Sequence, residues 1–64
     1  MPNIREMLVS IAKTGLSQAE IAEMVGVSQP TVHRAMTSGS VVKYETGKKI
    51  EQLYAERVED QKAA

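Results

Sequence analysis

The stretch Gln18–Met36 constrains this chain more than any other. It reads as two short helices around a tight turn. Ser17 with Glu20 three residues later forms a capping box, the signature of a helix start. Ile21, Ala22 and Val25 follow as the inner face of that helix, and Gly26 ends it. Ser28 is placed to cap the next helix, with Pro30 in its first turn, where a missing N–H costs nothing. Val32, Ala35 and Met36 supply the inner face of this second helix. Two helices joined by a turn of about four residues cross steeply, and their backbones come close. Ala22 falls at the crossing, where a larger side chain would meet the facing helix. Gly26 falls where the chain must take a positive φ, which glycine does without strain.

The flanks carry weaker but similar signals. Asn3 with Glu6 marks an earlier helix start, and Ile4, Met7, Leu8, Ile11 and Ala12 keep helical spacing up to Gly15. Thr37 to Ser40 is a polar connection. Ile50, Leu53, Tyr54, Arg57 and Val58 give the inner face of a last helix starting between Ser40 and Tyr44. Gly47 inside that span marks either close backbone packing or a later helix start. Val41 to Tyr44 reads as the helix start, with a short strand as the alternative. The expectation is an all-α fold in a single domain, 1–64, with helices at about 3–14, 17–25, 28–36 and 43–59 and a tail at 60–64.

Composition narrows the function classes. Of 64 residues, 42% are apolar, enough for one modest core. That core must be aliphatic, because Tyr44 and Tyr54 are the sole aromatics. A chain this short hides only about 60% of its unfolded surface, so a partner subunit would add needed stability. The absence of cysteine excludes disulfides and thiolate metal sites and fits a reducing, cytoplasmic setting. No apolar run nears the roughly 20 residues needed to span a bilayer. With one histidine and no glycine-rich phosphate loop, the chain is not expected to be an enzyme. Neither a metal, a cofactor nor a small-molecule ligand is expected.

Net charge is zero, but its distribution is uneven. Residues 28–49 hold Arg34, Lys43, Lys48 and Lys49 against Glu45 alone, while the segments on either side are net acidic. A local basic face suffices for a phosphate-binding footprint. Lys48 and Lys49 are adjacent on a helix, so they point about 100° apart and at most one would face such a partner.

Two helices crossed in this way leave the first turn of the second one raised and exposed, as in a helix-turn-helix that enters the DNA major groove. Gln29, Pro30, Thr31, His33 and Arg34 are the expected outward residues, and they suit base reading. Gln bridges adenine N6 and N7, and Arg bridges guanine O6 and N7. Thr31 could bond a base edge or touch a thymine methyl, and Pro30 could press against one. Ser17 and Gln18 open the first helix of the pair, where free amides favour a phosphate.

At Gln18, Ala22, Gly26 and Gln29 the run resembles the helix-turn-helix of the lambda-type phage repressor and Cro family. The resemblance covers residues 16–37 and, by helix count, 3–58. It implies a lambda-repressor-like bundle of four or five short helices that binds operator double-stranded DNA as a homodimer. It implies that Gln18 binds a phosphate and braces Gln29, and that Gln29, Pro30 and Arg34 occupy base-reading positions. It also implies that Thr37, Ser40 and Lys43 meet the backbone on the far side. Pro30 departs from the pattern, standing where a hydrogen-bonding residue is common. The short length is closer to Cro proteins than to two-domain repressors.

Val41, Val42, Tyr54 and Val58, with Met24, exceed the obvious needs of one small core. They are the expected dimer interface, with completion of the core as the alternative. The function so implied is a Cro-like transcriptional repressor. A DNA-packaging or recombination accessory protein, or a docking module that binds no DNA, is the rival.

Overall fold

The computed structural model describes residues 3–39 and 42–59. Four α-helices follow one another: α1 (Ile4–Lys13), α2 (Gln18–Val25), α3 (Gln29–Thr37) and α4 (Tyr44–Tyr54). The last helix widens into a π-helical turn at Ala55–Glu59. No strand occurs among the described residues, so the all-α expectation holds. Val42 and Lys43 are neither strand nor helix. Lys43 is the extended N-cap residue, one position before α4 begins. Ser40, Val41 and the tail expected at 60–64 lie outside the described residues. No described helix is long and apolar enough to cross a membrane.

Local chemistry sets the helix ends. The Asn3 side chain accepts from the Glu6 amide at 2.8 Å. Ser17 and Glu20 form the complete box: the Glu20 amide donates to Ser17 Oγ, and the Ser17 amide donates to Glu20 Oε1, each at 3.1 Å. Gly26 closes α2 with φ +76°, and the Val27 amide turns back to the Ala22 carbonyl at 3.0 Å. A Cβ placed on Gly26 would meet only Lys49 Nζ, at 3.5 Å. The glycine is therefore required by its backbone angle and not by lack of room. Gly47 sits within α4, and a Cβ there would lie 3.8 Å from Val42 and 3.9 Å from Ile4, ordinary contacts. It marks neither a forced close approach nor a helix start.

Helix α1 is the hub, packing against both α3 and α4, while α2 packs chiefly on α3. Met7, Leu8 and Ile11 of α1 meet Ile21, Ala22 and Val25 of α2, Val32 and Ala35 of α3, and Ile50 and Leu53 of α4 in one aliphatic core. Each fully buried Leu or Ile contributes about 1.5–3 kcal/mol over its exposed state, so the core holds α3 by one face only.

The expected interface residues require a correction here. Val58 is 8% exposed and belongs to this core. Val42 and Tyr54 pack against it from the edge. Continuation of α4 into the π turn carries Val58 back over the core, so these side chains complete the monomer. Val41 is outside the described residues. The large apolar side chains left exposed among the described residues are Met24 and Tyr44.

Candidate nucleic-acid interface

Helix α3 has two unlike faces. Val32 and Ala35 are 2% and 1% exposed, and Met36 is half-buried beside them. Gln29, Pro30, His33 and Arg34 are exposed on the other side. With Gln18 of α2 they line one open, shallow hollow of about 380 Å3. Helical spacing accounts for this grouping, since positions three and four apart share a face.

Thr31, expected among the outward readers, is not part of this hollow. It is half-buried, and its hydroxyl pairs with that of Ser28 at 2.8 Å. It lines a second cleft of about 540 Å3, together with Lys43, Thr46 and Lys49. Thr31 stands two residues from both Gln29 and His33, which rotates it to the flank of the helix. The same hydroxyl pair alters the expected cap. Ser28 has the N-cap backbone conformation, but its side chain makes no cap bond to the helix amides.

Gln18 does not brace Gln29. Its Nε2 lies 3.2 Å from His33 Nδ1 and 3.8 Å from Met36 Sδ. The crossing of α2 over α3 brings Gln18 above the middle of α3, one turn beyond Gln29. Ser17 uses its hydroxyl on the Glu20 amide. Thr37 is exposed, and its hydroxyl donates to the His33 carbonyl at 2.9 Å. Lys43 is exposed on the rim of the second cleft. Ser40 is outside the described residues.

The structure separates the adjacent lysines. Lys48 lies 5.7 Å from the centre of the Tyr44 ring, within cation–π range. Lys49 lines the second cleft beside the α2–α3 turn. The first hollow covers the outward face of α3, and the second cleft lies beside it. On one side stands the start of α2, and on the other stand Lys43 and Lys49. The Ser17 amide and hydroxyl, aided by the charge of Arg57, hold the Glu20 carboxyl below the usual carboxylate range. This keeps the cap ionised at the positive end of α2.

One positioning residue was not legible in the sequence. Arg5 of α1 donates from Nε to the Met36 carbonyl at 3.1 Å. A guanidinium there satisfies a carbonyl near the C-terminal end of α3, where cations are favoured. Its partner is 31 residues away, and no spacing rule reaches that far.

Residues 11–38 match the family model described as winged helix-turn-helix DNA-binding. The segment is similar to a DNA-binding helix-turn-helix. The match covers less than half of the chain, from the end of α1 through α3, and stops before α4. It speaks for the helix-turn-helix and not for the lambda repressor and Cro type in particular. No curated protein and no solved structure matches the chain.

The helix-turn-helix presents side chains of complementary kinds. Gln29 carries an amide suited to adenine, Arg34 a guanidinium suited to guanine, and Pro30 an apolar edge suited to a thymine methyl. Lys43 and Lys49 place positive charge in the second cleft.

Proposed function

We propose that this chain is a sequence-specific DNA-binding transcriptional regulator of the short Cro-like repressor kind, with no catalytic role. Helix α3 lies in the major groove, and Gln29, Pro30, His33 and Arg34 read base edges. Phosphates are met by the open amides at the start of α2 on one side and by Lys43 and Lys49 on the other. The carrying observation is the single hollow that gathers Gln18, Gln29, Pro30, His33 and Arg34 on the one face of α3 the core leaves free. The matched helix-turn-helix supports the same reading. Neutral net charge makes affinity depend on directed contacts more than on bulk attraction. In this reading the protein acts as a homodimer on half-sites about 34 Å apart, because one recognition helix covers too few bases.

Binding to a selected DNA duplex tests the proposal. Arg34→Ala and Gln29→Ala should each cost about 1–3 kcal/mol and relax preference at one base position. Lys43→Ala should weaken all sequences alike and reduce the slope of log affinity against log salt by about 0.9. Equal weakening on every sequence by Arg34→Ala would make it a phosphate contact and remove it from the readers. Sedimentation with and without the duplex tests the dimer. A bound stoichiometry of one chain per site would refute it, and a ring-like assembly would favour a packaging role.

A further inference from the structure

The hollow on α3 contains a hydrogen bond whose polarity can be worked out. Gln18 Nε2 faces two atoms at once, His33 Nδ1 at 3.2 Å and Met36 Sδ at 3.8 Å. A thioether sulfur only accepts, and an amide NH2 only donates. The end of Gln18 directed at Met36 is therefore its NH2, since a carbonyl oxygen there would set acceptor against acceptor. The same NH2 faces His33 Nδ1, so that nitrogen must be the bare acceptor of the ring. In the neutral imidazole the proton then sits on Nε2. Nε2 lies across the ring from Gln18, on an exposed side chain, and no other hydrogen bond engages the ring among the described residues.

We propose that Gln18 is a positioning residue that makes His33 a hydrogen-bond donor toward DNA. His33 then selects a base presenting an acceptor in the major groove, namely a purine N7, guanine O6 or thymine O4. It rejects cytosine, whose groove edge offers only the N4 donor. The inference rests on the DNA-binding reading above and gives it a specificity rule at one base. It also changes the part played by Gln18. Both side-chain N–H groups are engaged within the protein, so any phosphate at the start of α2 is held by backbone amides.

The proposal has two separable tests. Long-range proton–nitrogen correlation spectra of the DNA-free protein, recorded above the titration range of imidazole, read the tautomer directly. The expected result is protonation at Nε2 alone in the wild type, a mixture of tautomers in Gln18→Leu, and a proton on Nδ1 in Gln18→Glu, whose carboxylate accepts. Identical tautomer populations in the wild type and Gln18→Leu would overturn the proposal. Thermal melting of each variant establishes that the fold is retained.

The second test uses a randomised duplex library to find the base whose preference disappears in His33→Ala. Gln18→Leu should lose preference at that same base, and Lys43→Ala should keep it. Where that base is adenine, its 7-deaza analogue should weaken wild-type binding about fivefold, the loss of one ordinary hydrogen bond, and leave His33→Ala unaffected. Wild-type DNA binding in which no position responds jointly to Gln18→Leu and His33→Ala overturns the proposal while leaving the DNA-binding reading intact. Absence of any DNA binding overturns that reading, and the base rule with it, whatever the tautomer spectra show.

Discussion

The helices α2 and α3 begin in nearly the same way in sequence, each with a serine at the N-cap, and they are held in opposite ways. Ser17 and Glu20 close a full reciprocal box on α2. Ser28 makes no such bond, its hydroxyl being paired with Thr31 instead. The start of α2 is closed by its own residues Ser17 to Glu20, while Ile21, Ala22 and Val25 anchor the rest of it in the core. Helix α3 is fixed from outside, by burial of Val32 and Ala35, by Arg5 on the Met36 carbonyl, and by Gln18 on His33. The start of α3 thus carries no side-chain cap bond, and the helix is held by contacts from α1, α2 and the core.

Three measurements would break or sharpen this contrast. The largest effect is expected from Ile21→Ala, which removes a fully buried side chain shared by both helices. It should cost about 2–5 kcal/mol by chemical denaturation, a large fraction of the roughly 5–15 kcal/mol that stabilises a small domain. A loss below about 1 kcal/mol would mean that α2 is not anchored through the core. Next, Ser17→Ala should cost about 1 kcal/mol, the usual value of an N-cap side chain, and Ser28→Ala only a few tenths. Equal losses in the two variants would show that α3 is capped locally after all, and the contrast would fall.

The smallest effect concerns pH. The Glu20 carboxyl is held below its ordinary range by Ser17 and Arg57, so its stabilisation is present above the unfolded carboxylate range. It is lost as pH falls through the lowered folded value. Glu20→Gln keeps a hydrogen-bonding group but not the charge. The melting temperatures of wild type and Glu20→Gln should differ most near neutral pH and converge in acid. A gap that stays constant from neutral to strongly acidic pH would mean the charge contributes nothing.

How much was legible in the sequence varies with the range of the interaction. The capping box, the left-handed Gly26 and the apolar spacing of α1 to α3 all involve residues within a few positions of one another, and the structure has them as read. Thr31 was misplaced because two residues along a helix moves a side chain to the flank, and the flank here holds Ser28. For Val58, spacing shows that a face is apolar without showing whether a partner or this chain's own core covers it, and the structure has the core cover it. The separation of Lys48 from Lys49 was foreseen as a rotation, but which of them faces the turn was not.

The chain by itself determined four helices, the N-caps of α1 and α2 and the turn, because these follow from torsion preferences and hydrogen bonds among near neighbours. Only the tertiary structure decided that Gln18 meets His33 across 15 residues and that Arg5 meets Met36 across 31. Those contacts depend on the angle at which helices cross, and that angle is set by the packing of the whole aliphatic core. For this protein the exposed face of α3 is local in origin, and its hydrogen-bonding polarity is not.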